Sequence, residues 1–150
     1  MVTRVLTYKD AEQIRLLDER SGDDVSQWFI DEDDYDEDYA YGLFTDNGQL
    51  VGYCTLGDAD DCASMIENHP LHDDYSLLLS DVYVKPDYRR QNLGLYMVSS
   101  AIKQKLAKNS QISIFLTLLY DELGRFYEKL GFEWCDETYE YAMVKPCKQI

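Results

Sequence analysis

Two nearly unbroken apolar runs, SLLLSDVYV from Ser76 to Val84 and ISIFLTLL from Ile112 to Leu119, limit what this chain can fold into. Runs of this kind fit strands buried on both faces, which occur in parallel sheets covered by helices. The stretch between them supplies such a helix. Leu95, Val98 and Ile102 share one face of Leu93 to Leu106, flanked by Met97, Ala101 and Leu106. Strand, turn, helix and strand in that order predict a crossover unit of right-handed sense.

The remaining segments extend this unit into a mixed α/β sheet. Thr3 to Thr7 reads as a strand. Asp10 followed by Gln13 resembles a capping box, with Ala11, Ile14 and Leu17 at helical spacing before Ser21-Gly22. Asp23-Asp24 can cap a second short helix with Val25, Trp28 and Phe29 on one face. Tyr39 to Thr45 and Gln49 to Leu56 are strand-like and meet at Asp46-Asn47-Gly48, a strong hairpin signal. A short helix around Cys62 to Glu67 would end at Pro70. Leu123 to Leu130 is helical with Gly131 as its C′ residue. Phe132 to Cys135 and Tyr139 to Val144 read as a closing strand pair. No repeat or linker divides the 150 residues, so 1–150 is expected to form one domain. The whole order predicts an α/β fold with helices on both faces of a mixed sheet.

Charge narrows the function classes. The net charge is −15, yet 45% of residues are hydrophobic and 13% aromatic, which rules against disorder. So negative a chain repels nucleic-acid phosphates. It suits cationic substrates, or a basic protein that the chain would grip as a decoy. No run reaches the roughly 18 apolar residues of a membrane span. The N-terminus carries no apolar signal-peptide core, so a cytoplasmic location is expected. Cys54, Cys62, Cys135 and Cys147 form no CxxC pair and read as free thiols. His69 and His72 have i, i+3 spacing but no further ligands at metal-site spacing, so no metal is expected.

Against this background the positive charge is concentrated. Lys85, Arg89, Arg90, Lys103, Lys105 and Lys108, six of the fourteen basic residues, fall between positions 85 and 108 with Asp87 as the single acid. Arg89 and Arg90 stand where a buried strand turns into a helix, whose first N–H groups attract anions. Lys103, Lys105 and Lys108 suit the helix C-terminus without any ligand. Neither a GxxxxGK[ST] loop nor a GxGxxG fingerprint is present.

The segment DVYVKPDYRRQNLGLYM, Asp81 to Met97, resembles the acetyl-CoA-binding segment of the GNAT superfamily of N-acetyltransferases. Val84-Lys85-Pro86 matches the family's Val-x-Pro. Arg89, Asn92 and Gly94 fall on the following motif positions, with Asn92 in place of the usual first glycine. RFYEKLGF, Arg125 to Phe132, is similar to the later signature, in which a tyrosine-bearing helix ends at Gly-Phe. Tyr120 stands where an asparagine is common in the family.

The resemblance implies a GNAT fold, with a mixed, twisted sheet of six to seven strands splayed at the central parallel pair. It implies acetyl-CoA as cofactor and direct acyl transfer to a primary amine. Main-chain groups of Val82, Tyr83 and Val84 would pair with the pantetheine arm. Arg89, Arg90, Gln91, Asn92, Leu93, Gly94 and Leu95 would hold the pyrophosphate, chiefly through backbone N–H groups. Tyr127 would be the general acid. Asp81 lies beside the expected acyl position and can act as base, directly or through water; facing the other way, it is a buried polar residue in need of a partner. A bulge expected in this strand leaves its parity open. The acidic run DEDDYDED, Asp31 to Asp38, falls where the family builds its acceptor rim. There Asp34, Tyr35 and Asp36 are candidates for a small-molecule amine or a basic peptide, with a solubilising loop as the alternative. An acidic decoy and an acyl-CoA sensor on the same fold stay open as functions, as does a homodimer.

Overall fold

The structure, a computed structural model, describes residues 1–32, 38–59, 68–107, 111–118, 121–135 and 142–146. Among the described residues the strands are β1 (Val2–Val5), β2 (Ala40–Phe44), β3 (Leu50–Asp58), β4 (Leu77–Val84), β5 (Ile114–Thr117), β6 (Glu133–Trp134) and β7 (Ala142–Lys145). They form a mixed sheet in the order β1-β2-β3-β4-β5-β7-β6, with the parallel pair β4 and β5 in its middle. Among the described residues the α-helices are α1 (Ala11–Ser21), α2 (Leu93–Leu106) and α3 (Gly124–Glu128). None of the described helices is long and apolar enough to cross a membrane. The chain divides into two units, one of Met1–Thr55 and Asp81–Lys103, the other of Leu56–Ser80 and Gln104–Ile150.

In the first unit the hairpin follows from local chemistry. Asp46-Asn47-Gly48 turns the chain with Gly48 at φ +82°, and Thr45 N–H donates to Gln49 O at 2.9 Å. β1 and β2 pair antiparallel from Val2↔Phe44 to Val5↔Tyr41. The capping box lies one turn earlier than the sequence suggests. Thr7 caps a 3-10 turn, Tyr8–Asp10, and Asp10 returns the bond to Thr7 N at 2.9 Å. Arg4 also holds Asp10 through two bonds of 2.9 and 2.8 Å. Gln13 is therefore free for another role. Its amide donates to Gly48 O and accepts from Leu50 N, fastening α1 to the hairpin.

The second helix expected near Asp23 is a 3-10 turn, Val25–Phe29. Asp24 gives it no side-chain cap; Asp18 does, accepting from Val25 N at 3.1 Å and Ser26 N at 2.9 Å. Val25 and Phe29 enter the core while Trp28 stays 51% exposed. Leu6, Ile14, Leu17, Phe44 and Leu50 complete this core. Each fully buried aliphatic side chain stabilises it by about 1.5–3 kcal/mol.

In the second unit β5 pairs antiparallel with β7 from Ile114↔Lys145 to Thr117↔Ala142, and β6 pairs with the far edge of β7. The parallel β4–β5 ladder holds at Leu77↔Ile114 and Leu78↔Phe115. Leu78, Phe115, Ala142 and Val144 form the core here. His69 meets Phe115 edge-on at 5.3 Å, and His72 lies 6.0 Å from the same ring, which gives both histidines a packing role.

The β4 strand departs from the expectation of burial on both faces. Leu78, Leu79 and Val84 are buried, whereas Ser80 to Tyr83 are half-buried. The cause is Asp81, whose φ of +52° places a left-handed residue inside the strand and breaks its alternation. On α2 the buried stripe is Met97, Val98, Ala101 and Ile102, with Leu95 only half-buried. The helix expected at Cys62 to Glu67, the start of the last strand, Cys147, Lys108 and Tyr120 lie outside the described residues.

Candidate active site

The first unit carries the turn that the charge pattern singles out. Pro86 ends β4 and opens a 3-10 turn, Pro86–Tyr88, closed by Tyr88 N–H to Lys85 O at 2.9 Å. Lys85 N–H still reaches back to Val51 O at 2.8 Å. Arg90 and Asn92 then take left-handed angles, φ +63° and +59°. Asparagine tolerates this region better than other non-glycine residues. Asn92, which the resemblance sets where glycine is usual, thus holds a left-handed angle of its own.

These two angles fold the chain into the start of α2. The first bond into the helix is Tyr96 N–H to Asn92 O, 3.0 Å. The N–H groups of Arg90, Gln91, Asn92, Leu93, Gly94 and Leu95 are donated to no other described residue. Successive uncommitted amides ahead of a 14-residue helix, with its positive dipole end, can accept a diphosphate. The exposed side chains of Arg89 and Arg90 add charge. Arg89 is also a structural tie. Its Nε donates to Val84 O at 2.7 Å, and its guanidinium lies 5.3 Å from the Tyr83 ring centroid. It fixes the end of β4 relative to the turn. The residues present therefore fit the diphosphate of a coenzyme A.

Upstream, Val82 and Tyr83 are half-buried and Val84 is buried. Close packing sets their backbone: a Cβ on Gly52 would stand 2.8 Å from Tyr83 O. Asp81 precedes them. Thr55 Oγ1 donates to its Oδ2 at 3.2 Å, so the carboxyl has the partner that a buried polar group needs. Burial pushes the Asp81 pKa up, and the negative charge of Asp23 adds to this. The Thr55 bond opposes the rise, while Asp24 and Asp18 contribute to it. Asp81 thus holds its proton more tightly than an ordinary carboxyl, and is a stronger base once ionised.

Behind Asp81 lies a network that sequence reasoning missed. The Tyr53 hydroxyl donates to Asp18 Oδ1 at 2.8 Å, lies 2.5 Å from Ser21 Oγ, and has Asp23 Oδ2 at 3.3 Å. Burial, together with these carboxylates, pushes the Tyr53 phenol well up. Its ring contacts Tyr83 at 6.2 Å. More than thirty positions separate Tyr53 from Asp18 and Ser21. No local spacing could have joined them.

Tyr127 belongs to the second unit and sits on α3. Its half-buried ring meets Phe126 at 4.9 Å and Phe132 at 5.9 Å, both edge-on. Its carbonyl receives the N–H groups of Leu130 and Phe132. Gly131 ends the helix at φ +93°, and Lys145 Nζ donates to Leu130 O at 2.8 Å. At the other end Gly124 lies under the Trp134 indole, leaving no room for a Cβ. Trp134 in turn donates to Glu128 at 3.2 Å. Both ends of this short helix are held, and the tyrosine with them. Asp34, Tyr35 and Asp36 lie outside the described residues. Cys54 is buried, which pushes its thiol up to about 12 and keeps it from acting as a nucleophile.

The model of the acetyltransferase (GNAT) domain matches residues 37–134, which include the turn, Asp81 and Tyr127. The chain belongs to this family. It is an enzyme, an acetyltransferase that draws on acetyl-CoA. The fold also aligns with YhbS from Escherichia coli in complex with CoA, at 18% identity, 98% of this chain and 81% of that one, TM-score 0.66. It aligns with the diaminobutyrate acetyltransferase EctA from Paenibacillus lautus at 16% identity, 99% and 97% coverage, TM-score 0.66. Naa20 from Chaetomium thermophilum, in complex with a bisubstrate analogue, aligns at 14% identity, 97% and 86% coverage, TM-score 0.63. At these identities the likeness is one of fold. No curated protein sequence matches the chain.

Proposed function

We propose that residues 1–150 work as one cytoplasmic acetyltransferase domain that acetylates a primary amine on a cationic acceptor by direct attack. The observation that carries this reading is the run of amides from Arg90 to Leu95, donated to no other described residue and folded by left-handed Arg90 and Asn92. Those amides hold the diphosphate, and Arg90 offsets its charge. The main chain of Val82 to Val84 binds the pantetheine arm. Bound acetyl-CoA supplies the activated acetyl group as a thioester.

The protein's own residues manage the protons. An alkylammonium has a pKa of about 10.4 and must lose a proton before it can attack. Asp81 takes that proton, directly or through one water, and its raised pKa suits it to the task. Asp23 and Asp24, whose charges already bear on Asp81, favour a cationic acceptor over a neutral one. Tyr127 gives a proton to the departing sulfur; a phenol of about 10 is an adequate acid for a thiolate of about 8.5.

Thiol release, measured across polyamines, lysine peptides and neutral amines, tests this. Cationic amines should support turnover. Tyr127→Phe should slow it about 100-fold, within the usual range for losing a general acid. Affinity for coenzyme A should stay unchanged. Binding of acetyl-CoA without thiol release on any amine would leave a sensor, and absence of binding a decoy.

A further inference from the structure

We infer that Thr55 is a positioning residue for the proton transfer: its hydroxyl pins one oxygen of Asp81 and leaves the other, Oδ1, as the atom that takes the proton. This deepens the proposed acid–base chemistry and rests on Asp81 as its base. The face on which Asp81 lies, which the sequence leaves open, is set by contacts between β3 and β4. Lys85 N–H donates to Val51 O at 2.8 Å, the Tyr53 and Tyr83 rings lie 6.2 Å apart, and Thr55 Oγ1 donates to Asp81 Oδ2 at 3.2 Å. Each contact lies two residues further along β3 and two residues back along β4. Side chains two apart on a strand share a face, so Tyr53 and Thr55 point the same way. Asp81, despite its left-handed φ of +52°, stays with Tyr83 on that face. Gly52 belongs to the opposite face, against Met97 of α2.

The hydroxyls of Tyr53 and Thr55 divide the carboxyl groups between them. Tyr53 holds Asp18 at 2.8 Å and has Asp23 at 3.3 Å, while Thr55 holds Asp81. Burial opposes ionisation of Asp81, and the charges of Asp23, Asp24 and Asp18 add to it; the Thr55 bond is the influence that favours the carboxylate. Thr55 itself is wholly buried and cannot reach an acceptor amine. Oδ1 of Asp81 accepts no hydrogen bond from any described residue. An aspartate carboxyl turns broadly about its last torsion, so without the Thr55 bond either oxygen would face the amine. With the bond, the acceptor ammonium gives its proton to Oδ1 and its nitrogen lone pair is freed for attack. Asp81 later returns that proton to water.

The Asp81 carboxyl, followed by carbon-13 NMR in the free enzyme, tests this apart from turnover. Valine keeps the branching of threonine without the donor. Thr55→Val should raise the ionisation midpoint of Asp81 and, in thiol release, carry the acid limb of kcat/KM upward with it. On the alkaline side of that limb kcat should fall about tenfold, the scale of a lost hydrogen bond to a charged group, with KM unchanged. Thr55→Ser, which keeps the hydroxyl, should rescue both. An unmoved midpoint in Thr55→Val would overturn the inference. So would an equal loss of kcat when Thr55→Val is placed on Asp81→Asn, since the hydroxyl would then act elsewhere. Should valine prevent folding, the wild type still decides: its Thr55 methyl resonance should shift with the Asp81 midpoint, and a resonance that ignores it refutes the role. Asp81→Asn with a wild-type rate and pH profile would remove the base itself. A slowed Asp81→Asn beside an unaffected Thr55→Val would remove only the positioning.

Discussion

Replacing Gly52 by alanine probes the link between sheet packing and cofactor binding. The added Cβ would meet Tyr83 O at 2.8 Å, Val84 Cγ2 at 3.2 Å and Met97 Sδ at 3.3 Å. The two side-chain atoms can yield a few tenths of an ångström. The carbonyl cannot, because it belongs to the strand itself. Overpacking of this kind costs about 1–3 kcal/mol. Alanine returns about 0.4–1 kcal/mol by restricting the unfolded chain. The net loss should be about 1–2 kcal/mol, or about 2–8 °C in Tm for a domain of this size. The displaced atom also lies in the main chain proposed for the pantetheine arm, so affinity for coenzyme A should fall with stability. Gly22→Ala is the control. Nothing lies within 4 Å of its Cβ, and its φ of +82° alone carries the strain. That variant should lose stability of similar size while keeping coenzyme A affinity. Thermal unfolding and calorimetric titration read both quantities. A Gly52→Ala protein with wild-type Tm and affinity would refute the argument.

Three further outcomes follow from the site. The acid limb of kcat/KM should lie above the ordinary carboxylate range, because Asp81 must be ionised to act. Asp23→Asn removes a charge that raises Asp81, so it should move that limb to lower pH; an unmoved limb would detach Asp81 from the rate. Asp10 gives the opposite sign. Burial pushes it up, but Arg4 and Thr7 outweigh this and hold it below its usual value. Its contribution is present above the unfolded-state pKa of about 3.9 and lost as pH falls through the folded one. Asp10→Asn should therefore lower Tm at pH 7 and flatten its decline in acid, as thermal scans across pH would reveal. Gly94→Val should weaken coenzyme A binding at least tenfold by crowding the first turn of α2; intact affinity would remove this turn from the cofactor site.

Much of the frame was legible because it rests on local signals. Asp46-Asn47-Gly48 turned where expected, α2 runs from Leu93 to Leu106 as its periodicity predicts, and Gly131 ends α3 in a left-handed conformation. Strand ends were less readable. Ile112 to Leu119 shortens to Ile114–Thr117, since apolar character continues past the last ladder bond. Trp28 was expected to share a buried face with Val25 and Phe29, and it is exposed instead. The cap was assigned to Gln13 because spacing alone cannot tell which of Thr7 and Asp10 opens the box. At the site, the charge pattern exposed the Arg89–Leu95 turn. The carboxylates around Asp81 and the Tyr53 network were invisible, since only tertiary structure brings positions 18, 23, 53 and 81 together.

Asp81 occupies a conformation that glycine adopts freely and an ordinary L-residue adopts at a cost of about 1–2 kcal/mol. Its ionised form is also disfavoured by burial and by neighbours of like sign. A chain selected only for robustness would carry glycine here, relieving torsional strain and electrostatic repulsion in one substitution. Asp81→Gly should accordingly melt at a higher temperature than its parent and turn over acetyl groups more slowly. The left-handed kink at Asp81 would then exchange durability for the proposed proton transfer.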